Sequence, residues 1–158
     1  MRGRLGIGTA LAAGALAATS LIFAPAAGAV TPGVAQAGYD CGFWGGGTAN
    51  LTATQNGTRA TITLRTAVRT PVAVAANTIN ASLTFAKAGG GTRVFTGQQN
   101  PALAANSAVT IGPLTGTVAS GDSLNSYFAG PALSMTIFGV SVTCDAVTSQ
   151  TPGPFLFS

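Results

Sequence analysis

Hydrophobic and polar residues alternate with a period of two along most of the chain, which is the pattern of β-strands with one buried face. Between residues 58 and 68, Ala60, Ile62 and Leu64 share one parity, while Thr61 and Thr63 share the other. Similar segments predict further strands at residues 49–54, 72–75, 79–85, 93–96, 109–111, 114–118, 133–144 and 155–157. No segment after residue 37 carries an apolar stripe of helical period, so the pattern predicts an all-β domain.

Turn residues separate these segments at short intervals. Asn56-Gly57 lies between two alternating runs and is the strongest hairpin signal in the chain. Residues 89–91 are three consecutive glycines, and Gly121-Asp122 marks a further turn. Gly139 lies where the inward parity shifts by one residue, so we expect a bulge or bend in one long strand there.

Many short strands with frequent turns and one long-range cysteine pair are typical of an antiparallel immunoglobulin-like β-sandwich, which is the fold we expect. A closed barrel is the architectural alternative. Both folds bury one face of every strand and leave the other face wet, so alternation alone does not separate them.

The beginning of the chain has the pattern of an export signal. Arg2 and Arg4 precede an uncharged apolar run over residues 5–23, and small residues follow it. Cleavage is predicted after Ala29 or after Ala37, so residues 1–37 are the signal at its longest and residues 38–158 form one domain. No second apolar segment is long enough to span a bilayer, so we expect a secreted, extracellular protein without stable membrane insertion after cleavage.

The charge of the chain is low and scattered. Charged residues make up 6% of the chain, and its net charge of +4 includes the two arginines of the signal. The rest of the chain has five basic and three acidic residues, a net charge of +2. Nucleic-acid binding requires clustered lysine and arginine, so we expect no nucleic-acid partner.

Cys41 and Cys144 are the only two cysteines. In an exported protein an isolated pair is most simply a disulfide bond, here closing a loop of 103 residues. On a chain-entropy model such a bond is worth roughly 4.7 kcal/mol. Two free thiols acting as metal ligands or as a nucleophile are the alternative, but they lack the partner residues that those sites need.

The chain has no histidine and no glutamate. Serine or cysteine nucleophiles therefore lack an activating imidazole, and a zinc site lacks its commonest ligand. We expect no catalytic residue, no metal and no cofactor. Asp40 and Asp145 flank the two cysteines, so a disulfide would bring them together and could create an acid–base pair. An atypical aspartate-dependent hydrolase is for this reason retained as an alternative.

Two groups of residues are candidate ligand contacts. Phe43-Trp44 precedes a run of glycines and contains the only tryptophan. These aromatics could stack on a ligand, but we favour the alternative that Trp44 packs in the core beside the disulfide. Arg59 and Arg65, together with Arg69, share one face of a predicted strand. They either meet an anionic polymer or, as we favour, form the wet face of the sheet.

The motifs Tyr39-x-Cys41-x-Phe43 and Val142-x-Cys144, with the alanine-rich leader, resemble a group of small secreted actinomycete proteins. Their immunoglobulin-like domains have no established active site. The resemblance therefore implies a fold and an extracellular location, and it implies no functional residue.

The function we expect is that of a secreted, non-enzymatic binding or cell-surface interaction module. Its expected partner is the cell envelope or an extracellular polymer, and its oligomeric state is left open. The alternative is a carrier of an apolar small molecule, which requires a cleft lined by residues such as Phe128, Phe138 or Trp44.

Overall fold

A computed structural model describes residues 29–158, so the predicted signal up to residue 28 lies outside the described residues. Ten β-strands and one 3₁₀ turn, Gly42–Trp44, make up the domain. No helix within the described part of the chain is long and apolar enough to cross a membrane. The strands are β1 Val34–Asp40, β2 Gly46–Asn56, β3 Arg59–Arg69, β4 Asn80–Lys87, β5 Thr92–Gly97, β6 Ala108–Thr117, β7 Ser123–Ser126, β8 Pro131–Ile137, β9 Val140–Ala146 and β10 Phe155–Leu156.

Eight of these strands close into an antiparallel barrel. Their order is β4-β5-β6-β3-β2-β1-β9-β8, and β8 pairs back onto β4. The first half of β4 pairs with β8 and its second half pairs with β7, which in turn pairs with β10. The expected immunoglobulin-like sandwich is therefore wrong. A sandwich needs two sheets with free edges, whereas β4 here is hydrogen-bonded to β5 along one edge and to β8 along the other.

The core fills the barrel with the side chains that the alternating pattern assigns to the inside. Ala60, Ile62 and Leu64 are all fully buried. Near one end, Phe85 packs edge to face on Phe95 at 5.6 Å and on Phe155 at 6.2 Å between ring centroids. Such pairs add about 0.5–1.5 kcal/mol to the energy of burial.

The pairing between β1 and β9 forms a short seam in the ring, where only Tyr39 and Asp40 of β1 are paired. The predicted disulfide between Cys41 and Cys144 is confirmed, and it joins the chain at this seam. After β9 the chain continues along the same edge of β1. Its residue Thr151 pairs with Gln36, and Leu156 pairs with Thr31, which precedes β1.

The second predicted cleavage site lies inside β1. Ala35 and Ala37 are buried in the core, and every residue from Val34 to Asp40 has a partner on β2. We missed this strand from the sequence because residues up to Ala37 were assigned to the signal.

The hairpins follow the glycines, with two differences from expectation. The Asn56-Gly57 hairpin is confirmed, although its two loop residues are Gly57 and Thr58, because Asn56 pairs with Arg59. The bulge expected at Gly139 is wrong: β8 and β9 are separate strands joined by a two-residue turn. Residues 72–75 form no strand and contribute a single bridge to residue 103.

Candidate functional site: an apolar cleft at the mouth of the barrel

One end of the barrel opens into an apolar cleft. Strands β1, β3 and β8 end there, and β2, β6 and β9 begin there. The cleft has a volume of about 230 Å³. It is lined by Trp44, Val68, Arg69, Thr70, Pro71, Val109, Ile137, Phe138, Val140 and Val142.

The apolar lining follows from the inward parity of the strands, which continues up to the rim. Val68, Val109 and Val142 are buried and form the floor. Ile137 and Val140 form the last pair of the β8–β9 hairpin. Ile137 is partly buried against the core, whereas Val140 is exposed, although its parity is that of a core residue.

Phe138 forms the tip of the hairpin and one wall of the cleft. It is 65% exposed, and its φ of 51° lies in the left-handed region. Gly139 follows with a φ of 76°, so both loop residues have the positive φ of a type I′ turn. Asparagine is the usual residue at the first of these positions, whereas an exposed phenylalanine there is strained. The hairpin therefore presents an aromatic ring at a cost in backbone energy.

Trp44 forms a second wall of the cleft, at the end of the Gly42–Trp44 turn. The turn is held by a Cys41 N–H bond to the Gly45 carbonyl at 2.8 Å and by the Gly42 N–H bond to Asp40 Oδ1 at 2.9 Å. Trp44 is 39% exposed, so our expectation that it packs in the core is wrong. Because the turn directly follows Cys41, the disulfide fixes the position of this wall.

Phe43 extends the apolar surface beyond the cleft. Its side chain is 96% exposed, and its ring meets that of Trp44 edge to face at 5.7 Å between centroids. The two aromatics thus form one exposed surface beside the opening. Phe128 is also exposed, but it does not line the cleft.

The loop of residues 70–79 contributes Thr70 and Pro71 to the lining, and it is hydrogen-bonded to the loop of residues 98–107. The buried side chain of Asn100 fastens them together: its Oδ1 accepts the N–H groups of Thr78 and Ile79, and its Nδ2 donates to the Ala75 carbonyl. Arg69 donates to the Asn106 carbonyl at 2.6 Å. These bonds hold the rim in place from the loop side.

Arg59 and Arg65 lie on the outer face of β3 and do not line the cleft. Arg59 contacts Thr115 Oγ1 at 3.5 Å, and Arg65 is exposed opposite Asn50 and Thr110. Of the three arginines that we grouped from the sequence, the structure places only Arg69 at the cleft.

The carboxylates do not converge on the cleft. Asp40 and Asp145 are direct partners across the β1–β9 seam, as the disulfide argument predicted. Asp122 lies elsewhere and is buried between Lys87 Nζ at 3.3 Å and Arg93 Nε at 2.8 Å. Burial acts to raise its pKa, but hydrogen bonds from Arg93, the Ala119 N–H and Lys87 outweigh this effect and lower the pKa to about 2. No group of three metal-ligating side chains occurs in residues 29–158.

The carrier alternative named Phe128, Phe138 and Trp44 as candidate cleft residues; Phe138 and Trp44 line the cleft, Phe128 does not, and Val140, Ile137 and Pro71 were missed. The sequence signal for Ile137 and Val140 is the inward parity of the residues on each side of Gly139. It directs both side chains to the inside of the barrel once Gly139 is placed in a turn rather than in a strand. Comparison with known proteins finds no matching family model, curated protein or solved structure.

Proposed function

We propose that the protein is an exported, non-enzymatic binding protein that holds an apolar group in the cleft between Trp44 and Phe138. One observation carries this proposal. The cleft is walled by two exposed aromatic rings, and one of them is held in a backbone conformation that costs stability. Strained residues of this kind persist where the surrounding structure or a function requires them.

The volume of the cleft limits its ligand. Sites for drug-sized molecules usually have about 300–1,000 Å³, and an apolar cavity of about 150 Å³ holds one benzene ring. A cleft of about 230 Å³ therefore suits one ring with a short substituent, or a branched aliphatic group. This size favours an apolar group that is part of a larger molecule over a large ligand that is wholly enclosed.

The non-enzymatic part of the proposal is supported by the side chains that surround the cleft. Arg69 is the only ionisable residue in its lining, and it is bonded to a backbone carbonyl. Export is supported by the disulfide, which persists in oxidising compartments, and by the leader pattern in the sequence.

The single tryptophan makes the proposal directly testable. We expect the neutral probe N-phenyl-1-naphthylamine to insert its phenyl ring into the cleft and leave its naphthyl group outside, with a dissociation constant in the micromolar to millimolar range, as for a small ligand in a shallow apolar site. Binding should quench the fluorescence of Trp44 and enhance that of the probe. Toluene and indole, which fit the same volume, should displace it.

The variant Val140→Thr keeps the shape of the side chain but places a hydroxyl in the cleft, and it should weaken probe binding at least fivefold. The matched control is Val94→Thr, at an exposed valine on β5 outside the cleft, which should bind as the wild type does. Failure of the probe to bind, or equal weakening by both variants, would contradict the proposal.

A further inference from the structure

A second concave surface, which we call the hydroxyl groove, lies on the outer face of β5, β4, β8 and β9. It has a volume of about 640 Å³. Its polar lining includes Asn80, Ser82, Thr96, Ser134, Thr136 and Thr143. Only Val142 is common to this groove and the apolar cleft, so the two surfaces are separate sites.

The hydroxyl groups are ordered by the register of the sheet. Thr96, Ser82, Ser134 and Thr143 are direct partners across the four strands and form one row. Adjacent strands lie about 4.8 Å apart, so this row spans about 14 Å. Thr136 stands opposite Asn80 in a second row. The sheet thus presents a regular grid of neutral polar groups.

The hydrogen-bonding capacity of this grid is not used within the protein. No side chain that lines the groove forms a hydrogen bond to another of the described residues. The opposite side of the barrel differs, because Thr54 and Thr61 bond to each other there at 2.7 Å and Gln36 bonds to Asn50. The groove also contains no charged side chain.

We propose that the hydroxyl groove binds a neutral, hydroxyl-rich glycan chain. Hydroxyl and carboxamide groups both donate and accept hydrogen bonds, and so do the hydroxyls of a sugar. A charged polymer would find no counter-charge in the groove, whereas a neutral glycan leaves no charge unpaired. The row from Thr96 to Thr143 is long enough to contact a short oligosaccharide segment rather than a single sugar.

The test uses the whole exported protein on an array of neutral glycans, with the soluble polysaccharides laminarin, mannan and dextran measured in parallel by affinity electrophoresis. Polygalacturonate and chitosan serve as the anionic and cationic comparators. We expect retardation by at least one neutral polysaccharide and no preference for either charged polymer.

The groove variant is Thr96→Val/Thr136→Val/Thr143→Val, which removes three hydroxyls, keeps the side-chain shape and suits β-strands. We expect it to weaken binding at least tenfold. The matched control, Thr52→Val/Thr63→Val, removes two hydroxyls on the opposite face, where the residues pair across β2 and β3, and should bind normally. A Trp44→Ala variant should also bind the glycan normally, which separates this site from the apolar cleft.

Three results would overturn the proposal: no binding to any neutral glycan, preferred binding to a charged polymer, or equal binding by the groove variant and the wild type. Sedimentation of the wild type and the groove variant provides a further check. If the wild type sediments as a dimer and the groove variant as a monomer, a second copy of the chain occupies the groove in place of a glycan.

Discussion

Replacing Phe138 with asparagine tests whether this residue serves ligand binding rather than folding. The substitution places the preferred residue at the first position of the type I′ turn and removes one wall of the apolar cleft. A structural phenylalanine and a binding phenylalanine predict opposite outcomes for this change.

The expected change in stability is the difference between two terms of similar size. A left-handed backbone costs a bulky residue about 1–2 kcal/mol, and asparagine tolerates this conformation better. The protein covers about a third of the ring, on the order of 70 Å². At about 25 cal/mol per Å² this cover is worth at most about 2 kcal/mol. The free energy of unfolding should therefore stay within about 1 kcal/mol of the wild type, whereas truncating a core phenylalanine costs about 3–5 kcal/mol.

A second variant, Phe138→Ala, isolates the strain. Neither variant has a ring, but alanine lacks the tolerance of asparagine for a positive φ. We expect Phe138→Asn to be more stable than Phe138→Ala by about 1 kcal/mol. Urea denaturation followed by Trp44 fluorescence and by circular dichroism measures both, while titration with N-phenyl-1-naphthylamine measures the cleft.

Both variants should bind the probe at least tenfold more weakly than the wild type. A loss of more than about 3 kcal/mol in Phe138→Asn would refute the reasoning, because it would make the ring a structural anchor. Equal stability of the two variants would show that the turn carries no strain. Unchanged probe affinity would remove Phe138 from the site.

Three further predictions concern stability and processing. The depressed pKa of Asp122 means that this carboxylate stabilises the fold by about 2 kcal/mol, fully above its unfolded pKa of 3.8, and that the contribution is lost as the pH falls towards about 2. Urea titrations between pH 7 and pH 2 should show this dependence in the wild type. An Asp122→Asn variant with the same profile would contradict the assignment. Removing the disulfide with Cys41→Ser/Cys144→Ser should cost about 2–5 kcal/mol and weaken probe binding, since the Trp44 wall follows the bond. An unchanged urea midpoint would argue against this role. Because β1 begins at Val34, the proposed signal should be cleaved after Ala29, and N-terminal sequencing should then find Val30 as the first residue. A chain that starts at Gly38 lacks half of β1 and should have a lower urea midpoint; equal midpoints would refute that assignment.

The sequence predicted the local structure better than the closure of the sheet. Alternation located the inward residues of β3 and β4, and the glycines located most turns, because both signals depend on neighbours in the chain. Closure depends on β4 pairing with β8 and on β1 pairing with β9, and these long-range pairings leave no local pattern. A barrel and a sandwich bury the same parity, so the choice between them could not be made from residues alone.

The candidate site was predicted only in part, for a related reason. Trp44 and Phe138 attracted attention as aromatics, but their exposure depends on where the barrel ends, which the sequence does not state. The hairpin at Phe138-Gly139 was missed because its first loop residue is not the asparagine that usually marks such turns. Phe138 is therefore both the residue that hid the turn in the sequence and a wall of the proposed site, as expected where function outweighs folding preference.

The disulfide between Cys41 and Cys144 encloses most of the domain in one covalent loop. A protease that cuts a single peptide bond anywhere between these cysteines leaves the two fragments attached to each other. The nicked molecule can keep the pairing of its strands, and with it both proposed binding surfaces. In the extracellular location that we propose, where proteases are common and no synthesis replaces a damaged molecule, the bond would let the protein withstand a single cleavage.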